Sequence, residues 1–176
     1  MTNSSTPTIN FGTSGHRGII GQDISPEHIK AIAVGIASLF SAQDTPTTLL
    51  IGCDPRTGND LNCSPSSFTG TLTQTLNECG VNTISYNNFI PTPMLSWLIT
   101  HLNADGGIIL TASHNPPEYN GIKFNPKNGA PAPQTITQHI EQAANRYAQT
   151  PYPLTSQQPG THHINDAPFE AFSVAL

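Results

Sequence analysis

Short strand-like runs alternate with segments of helical spacing through the middle of this chain, and this alternation restricts the folds that the chain can adopt. The strand-like runs are Thr48–Cys53, Val81–Tyr86 and Gly107–Thr111. In the segments between them, apolar residues recur at helical intervals. Such alternation favours parallel strands joined by right-handed crossovers, with helices on both faces of the sheet. The sequence therefore predicts an α/β fold, namely a three-layer α/β/α domain with a mixed, mostly parallel sheet.

Helix starts and a change of composition suggest where this domain ends. Three predicted helices begin with a capping residue followed by proline, and a last one closes the domain; they start at Ser25-Pro26, Ser64-Pro65 and Thr92-Pro93, and the last spans Gln134–Tyr147. The segment Thr150–His163 is rich in Pro, Gln, Thr and Ser without a period, which predicts a linker. We therefore predict one domain over residues 1–148 and a linker or tail over residues 149–176.

Charge and composition argue against several kinds of partner. The 176 residues carry a formal charge of −5 and only six Lys and Arg residues, so we predict no nucleic-acid or membrane-surface partner. The longest helix-like apolar stretch, residues 29–40, is shorter than the roughly 20 residues that cross a bilayer. The first ten residues lack a signal-peptide pattern, which predicts a cytoplasmic protein. The three cysteines lack Cys-x-x-Cys spacing and are expected to be unpaired thiols in a reducing compartment.

Three loops, at residues 12–18, 54–58 and 111–123, are candidates for a functional site. Ligands of open parallel sheets bind in the loops beyond the carboxyl ends of the strands. Four of the six basic residues lie in or just after these loops: Arg17, Arg56, Lys123 and Lys127. Surface solubility does not account for this distribution.

The residues alone leave each loop with more than one interpretation. The glycine-rich first loop suits either a phosphate cradle or a tight turn, and its glycines do not match a dinucleotide or P-loop motif. Ser113 is either a nucleophile or phosphate carrier, or part of a turn with local side-chain hydrogen bonds. Without G-x-S-x-G a hydrolase is disfavoured. Asp54 and Arg56 are predicted to brace the loops, and the His162-His163 pair to be solvated.

Five segments of the sequence carry a resemblance to a known family. They are Phe11–Gly18 (FGTSGHRG), Gly52–Arg56 (GCDPR), Pro91–Pro93 (PTP), Thr111–Pro116 (TASHNP) and Asn120–Phe124 (NGIKF). Together they resemble the first domain of the alpha-D-phosphohexomutases, the phosphoglucomutase and phosphomannomutase superfamily, over residues 8–148. His16, Pro117 and the segment 125–131 lean towards the phosphoglucomutase branch.

The resemblance implies a phosphoryl-transfer function. Ser113 would carry a phosphoryl group that it exchanges with a hexose 1- or 6-phosphate, and glucose 1,6-bisphosphate would serve as intermediate and activator. Arg17 would bind phosphoryl oxygens, and Lys123 would exchange a proton with the attacking hydroxyl. Catalytic roles therefore fall to Ser113, Lys123 and Arg17. The resemblance assigns phosphate or substrate binding to Thr13, Ser14, Arg17, His114, Asn115 and Lys123.

The family also uses Mg²⁺, held by the phosphate on the equivalent of Ser113 and by three aspartates of an Asp-x-Asp-x-Asp-Arg loop that this sequence lacks. Its sugar-selecting and distal phosphate-binding loops are missing as well. We therefore expect negligible mutase activity from this chain alone, and self-association through apolar surface that further domains would cover. The alternative is a non-catalytic binding or regulatory module with the same domain fold.

Overall fold

Alternate residues of the central strands face opposite sides of one sheet, and each side has its own apolar core. The computed structural model describes residues 6–43, 45–154 and 158–175. Within the strand Thr48–Cys53, Leu49 and Ile51 pack into one core, whereas Leu50 packs into the other. Because both faces are covered, this strand is buried along nearly its whole length.

The order of elements positions the loops of interest at one end of the sheet. The strands are β1 (His16–Ile19), β2 (Thr48–Cys53), β3 (Asn82–Tyr86), β4 (Gly106–Leu110), β5 (Tyr119–Pro126) and β6 (His162–Asn165). The helices are α1 (Pro26–Ala37), α2 (Phe68–Glu78), α3 (Thr92–His101), α4 (Gln134–Gln149) and α5 (Phe169–Val174), and a 3₁₀ turn, Ser38–Phe40, follows α1. The strand order is β1-β5-β4-β2-β3-β6.

Three layers result from this arrangement. Helices α1, α2 and α4 cover one face of the sheet, while α3 and part of α5 cover the other. Strands β4, β2, β3 and β6 are parallel neighbours, and β5 pairs antiparallel with both β1 and β4. The predicted α/β/α domain with a mixed, mostly parallel sheet is therefore confirmed.

Two strands, β1 and β5, lie where the sequence analysis placed loops. β5 has a period of two that indicates a strand, because Ile122 and Phe124 are buried in the core beside α1 and α4 while Lys123 lies between them. This strand returns the chain antiparallel to β4 and brings residues 119–123 back beside the serine-containing loop, residues 111–118.

The predicted linker Thr150–His163 is wrong at its end, because His162 begins β6, which pairs with β3. The His162 Nδ1 lies 2.9 Å from Thr83 Oγ1, and burial lowers the pKa of this imidazole. The prediction of two solvated histidines is therefore wrong for His162, whereas His163 is exposed. The division of the chain at residue 148 into a domain and a tail stays a prediction.

The predicted starts of α1, α3 and α4 are confirmed, but that of α2 is wrong by one turn. α2 begins at Phe68, and Ser67 caps it by accepting a hydrogen bond from the Gly70 amide at 2.9 Å. Ser64, the predicted cap, is held by Asp60 instead, whose carboxylate accepts hydrogen bonds from its amide and hydroxyl.

Two further predictions concern the chain as a whole. Cys53, Cys63 and Cys79 are free thiols, which confirms that they are unpaired. Within the described ranges, each helix is too short or too polar to cross a bilayer.

Candidate active site

Ser113 lies on an exposed loop whose backbone is held by its own neighbours. Its φ is 55°, a left-handed conformation that few residues other than glycine adopt. The Ser113 amide donates to Thr111 Oγ1 at 2.9 Å, and the Asn115 amide donates to the Ala112 carbonyl at 3.1 Å. These bonds order the backbone, while the Ser113 side chain stays accessible to a ligand.

Asp54 links the end of β2 to the base of the serine loop. Its carboxylate accepts a hydrogen bond from Thr111 Oγ1 at 2.6 Å, and its amide donates to the Leu110 carbonyl at 3.2 Å. Asn59 Nδ2 donates to the same carboxylate at 3.3 Å and to the Leu110 carbonyl at 3.1 Å. The position of Thr111, and through it the Ser113 amide, therefore depends on the neighbouring parallel strand.

The Arg56 guanidinium holds the rest of the serine loop through main-chain carbonyls. Its Nε donates to Asp54 Oδ2 at 3.3 Å, and the Arg56 side chain is only 13% exposed. Its two Nη atoms donate to four carbonyls, those of Ser113 (2.8 Å), Asn115 (2.8 Å), Pro116 (2.9 Å) and Tyr119 (2.9 Å). The prediction that Asp54 and Arg56 brace the loops is confirmed.

The first loop is a tight turn between Gly12 and Gly15. The Gly15 amide donates to the Gly12 carbonyl at 2.8 Å, and the reverse bond measures 3.3 Å. Gly15 has a φ of 78°, and a Cβ there would lie 2.1 Å from the Ile122 carbonyl oxygen, so this position requires glycine. The turn presents Thr13 and Ser14, both exposed, at its tip.

His16, which follows this turn, is a buried anchor. Its Nε2 donates to the Asp23 carbonyl at 2.8 Å, and its Nδ1 lies 3.3 Å from the Asn10 amide nitrogen. The ring stacks on His28 of α1, with 5.5 Å between centroids. The His16 side chain thus fixes the turn to the body of the domain and is not available to a ligand.

Two side chains of α4 hold the segment that leads into the turn, and the sequence analysis gave them no role. Asn145 binds both main-chain groups of Ile9, with Oδ1 accepting at 2.9 Å and Nδ2 donating at 2.8 Å. Glu141 Oε2 accepts the Phe11 amide at 2.7 Å. The two residues are four positions apart and therefore lie on one face of α4. This spacing is the only feature of the sequence that could have indicated a shared role.

Arg17 and Lys123 lie on one face of the β1–β5 pair, beside the base of the serine loop. Arg17 is opposite Gly121, whose carbonyl accepts the Thr111 amide at 2.9 Å. Lys123 lies two residues further along β5 and so shares the face of Gly121. A Cβ on Gly121 would lie 2.7 Å from Arg17 Cγ, so the glycine leaves room for the arginine side chain.

These two cations have no counter-charge within the part of the chain that the structure describes. The ion pairs found there involve Arg56 and Lys127. Arg17 Nε is buried and has no hydrogen-bond partner among the same residues. Burial, and secondarily the nearby Arg17 guanidinium, lowers the pKa of Lys123. An anion bound here would compensate both charges.

The remaining basic and polar residues divide between this region and the far end of the sheet. His114 is exposed on the serine loop, and Asn115 beside it is half-buried. Lys127, however, follows the other end of β5, with Nζ 3.9 Å from Asp105 Oδ1. The prediction that Lys127 belongs with the loop cations was wrong, because antiparallel β5 places this residue at the opposite end of the strands, beside the amino end of β4.

Cavity size does not locate this site. Two cavities of about 630 Å³ and 540 Å³ lie along the segment after α4, both bordered by Leu154 and Pro159. The larger one is lined by Thr47 and Asn82, at the amino ends of β2 and β3. The serine loop, in contrast, follows the carboxyl end of β4, where an open α/β sheet binds ligands.

The side chains described do not by themselves form a magnesium site. Across residues 6–43, 45–154 and 158–175, no three His, Cys, Asp or Glu side chains come together. The Asp54 carboxylate at the base of the serine loop already accepts hydrogen bonds from Thr111, Arg56 and Asn59. These residues therefore do not fit Mg²⁺ on their own.

Comparison with known proteins places this arrangement in a family. Residues 8–151 match the family model described as phosphoglucomutase/phosphomannomutase, alpha/beta/alpha domain I. A phosphoglucomutase/phosphomannomutase of Thermococcus kodakarensis is 38% identical over 119 residues, covering 68% of this chain and 25% of the relative. A phosphoglucosamine mutase of Alkaliphilus oremlandii is 36% identical over 132 residues, covering 74% of this chain and 28% of the relative.

A solved structure gives the same result. A phosphomannomutase candidate from Thermus thermophilus matches with a TM-score of 0.77 and 30% identity, covering 98% of this chain and 37% of that one. The chain thus spans 25% to 37% of the length of these relatives. Their names differ in the sugar, so the leaning towards the phosphoglucomutase branch stays a prediction. The match over residues 8–151 shows that this chain belongs to the phosphoglucomutase/phosphomannomutase family and contains its alpha/beta/alpha domain I.

Proposed function

We propose that this chain is the phosphoryl-carrying domain of a phosphohexomutase, with Ser113 as the carrier. The observation that carries the proposal is the pair Arg17 and Lys123, two cations without a described counter-charge at the base of a braced, exposed serine loop. A phosphoserine has a charge of about −1.5 to −2 at neutral pH, which such a pair compensates. Family membership supports the same assignment.

In the proposed reaction, the bond between Ser113 Oγ and phosphorus breaks as a hydroxyl oxygen of a hexose 1- or 6-phosphate bonds to phosphorus. The product is a hexose 1,6-bisphosphate. The hydroxyl proton passes to the neutral fraction of the Lys123 amine, a fraction that the lowered pKa of this lysine increases, and Ser113 Oγ takes up a proton from water. The bisphosphate then returns its other phosphoryl group to Ser113 by the reverse steps.

Arg17 contributes charge and orientation in this scheme. A guanidinium presents a planar set of N–H donors that matches phosphoryl oxygens, and the buried Arg17 Nε still lacks an acceptor among the described residues. Phosphoryl transfer depends mainly on positioning and on compensation of charge. We assign binding roles to the polar groups beside this pair, namely Thr13, Ser14, His114 and Asn115.

Intact-mass measurement tests the proposal. The 176-residue chain is incubated with glucose 1,6-bisphosphate, with Mg²⁺ in one arm and a chelator in the other. We expect the chain to gain the mass of one phosphoryl group, Ser113→Ala to gain none, and the control Ser66→Ala, at an exposed serine of another loop, to behave like the parent. A gain retained by Ser113→Ala, or no gain by the folded parent chain in either arm, contradicts the proposal.

The second candidate is a non-catalytic binding or regulatory module of the same fold. The half-buried position of Arg17 and Lys123, side by side on the β1–β5 pair, suits anion binding without transfer. Calorimetry with glucose 1,6-bisphosphate separates the two candidates: binding without any mass gain favours the module.

We further propose that the 176-residue chain alone does not complete mutase turnover. Selection of a sugar and exclusion of water from the reaction need groups beyond the two loops described here. A coupled assay for conversion of glucose 1-phosphate to glucose 6-phosphate is expected to give no rate above background, and sustained conversion contradicts this. Self-association of the chain stays a prediction that sedimentation can test.

A further inference from the structure

We propose that Arg56 is a positioning residue for phosphoryl transfer, one that sets the conformation of the serine loop and binds no phosphoryl group itself. The proposal rests on the function proposed for Ser113. It differs from the role of Arg17, which lies on β1 with a buried nitrogen that has no partner among the described residues.

The hydrogen-bond inventory of Arg56 carries the proposal. A guanidinium has five N–H groups: one on Nε and two on each Nη. The Nε group donates to a carboxylate, and each Nη atom donates to two main-chain carbonyls. The acceptors are Asp54 for Nε, Pro116 and Tyr119 for Nη1, and Ser113 and Asn115 for Nη2. All five N–H groups are therefore used inside the protein, and none is left to bind a phosphoryl oxygen.

The acceptors explain why this matters for the reacting serine. One of them is the carbonyl of Ser113 itself, which has the left-handed φ of 55°. Four carbonyl dipoles that converge on one point repel each other unless a cation lies between them. The Arg56 guanidinium therefore stabilises the backbone conformation that presents the Ser113 hydroxyl, and small displacements of a reacting group are costly to the rate.

Substitution by lysine separates the charge of Arg56 from its geometry. A lysine keeps the positive charge but has three donors on one atom and cannot reach four carbonyls and a carboxylate together. Arg146→Lys is the matched control, because Arg146 is exposed on α4 and makes no contact with the serine loop among the described hydrogen bonds. Circular dichroism and thermal melting establish that each variant is folded.

The first measurement is the rate of phosphoryl gain by the chain at increasing glucose 1,6-bisphosphate. For Arg56→Lys we expect the maximal rate to fall about 100-fold, the scale expected for a misplaced reacting group, while the half-saturating concentration stays within about twofold of the parent. A phosphate ligand would instead raise the half-saturating concentration. That result, or an unchanged maximal rate, overturns the proposal.

The second measurement does not depend on catalysis. The amides of Ser113, Asn115 and Tyr119 bond within the loop, and their hydrogen exchange reports its order. We expect exchange about tenfold faster in Arg56→Lys and unchanged in Arg146→Lys. If the parent chain gains no phosphoryl group, the function proposed for Ser113 fails, but exchange still decides the role of Arg56. Unchanged exchange overturns that role.

A second variant covers the case in which Arg56→Lys does not fold. Asp54→Asn withdraws the carboxylate charge beside Nε while leaving the four carbonyl acceptors in place. The amides of Asn115 and Tyr119 are expected to exchange faster than in the parent. The Ser113 amide is not used for this variant, because Asp54 also orders it through Thr111 Oγ1. Unchanged exchange in Asp54→Asn then overturns the proposal.

Discussion

Arg17 and Arg56 border the same serine loop, yet their guanidinium groups are in opposite situations. Every N–H of Arg56 donates to an acceptor within the loop network. Arg17 has a buried Nε without an acceptor in the described chain, and it lies beside Lys123 rather than beside a carboxylate. Arg56 therefore holds the loop in its conformation, whereas Arg17 is available to a group that the loop binds.

The difference shows how a domain can carry an unfavourable arrangement where function requires one. Two neighbouring cations and an unsatisfied buried donor both cost stability. The Asp54–Arg56 network, in which charges and carbonyls are matched, has no such cost. Departures from good pairing are frequent at functional sites, and the one at Arg17 and Lys123 lies on the strand pair β1 and β5 rather than on the loop that carries the serine.

The largest expected effect comes from removing the positive charge of Arg17. In Arg17→Gln, the rate of phosphoryl gain by Ser113 should fall about 100- to 1,000-fold, the cost of losing one donor to developing charge. The free energy of unfolding should not fall, because an unpaired cation is removed from beside Lys123. Intact-mass kinetics and urea unfolding measure the two effects, with Arg146→Gln as the control. A normal rate would contradict the role of Arg17 in phosphoryl transfer, and a loss of stability as large as that of Arg56→Lys would show that Arg17 is structural.

The sequence grouped four cations with the candidate loops, which is right for Arg17, Arg56 and Lys123 and wrong for Lys127, and it did not show how each is used. An Asp-x-Arg turn predicts local bonding, and the bond from Arg56 to Asp54 is of that kind. The decisive acceptors, Ser113 to Tyr119, lie 57 to 63 residues away along the chain and meet Arg56 only because β2 and β4 are parallel neighbours. Pairing across such distances leaves no local pattern.

The same limit explains the missed strands. β2 and β4 are buried on both faces and therefore appear as apolar runs, whereas β1 and β6 are four-residue edge strands with few apolar residues. Missing β5 also led to the error over Lys127, since only an antiparallel return separates that residue from Lys123 by the length of the sheet. An apolar run or a regular alternation can be recognised in a sequence, whereas the pairing of a short edge strand depends on the neighbouring strand.

A smaller effect is expected where the two arginine environments meet, at Gly121. In Gly121→Ala the new Cβ would lie 2.7 Å from both Arg17 Cγ and the Thr111 carbonyl oxygen, and 2.8 Å from the His16 carbonyl oxygen. The arginine side chain can move, but the His16 carbonyl belongs to β1, which pairs with β5, and Thr111 is held beside Gly121 by its own amide. We expect a loss of about 2 to 3 kcal/mol in the free energy of unfolding, measured in urea. Gly12→Ala, where a Cβ meets nothing within 4 Å, is the control and should change stability by less than about 0.5 kcal/mol. Equal stabilities for the two variants would mean that the strands can separate here without cost.

The smallest effect is a difference in response to acid. β1, which carries Arg17, begins with His16 stacked on His28, whereas the Arg56 network rests on a carboxylate. Burial, and secondarily the nearby His16, lowers the pKa of His28 below its usual 6.5. The unfolded chain then binds more protons than the folded one between the lowered pKa and 6.5, so stability falls as the pH falls through this window.

His28→Gln should flatten the part of this pH dependence that arises at the first loop. The pKa of His162 is also lowered by burial, so the parent chain keeps a second contribution that the variant does not remove. Urea unfolding of parent and variant across the window gives the difference attributable to His28. Hydrogen exchange locates it: the Ile20 amide, which donates to the Glu118 carbonyl just beyond β1, should lose protection in acid in the parent only, while the Ser113 amide, held through Thr111 and Asp54, should not. Equal loss at both amides would mean that the strand carrying Arg17 and the loop held by Arg56 open as one unit, and that the two arginines differ in bonding but not in local stability.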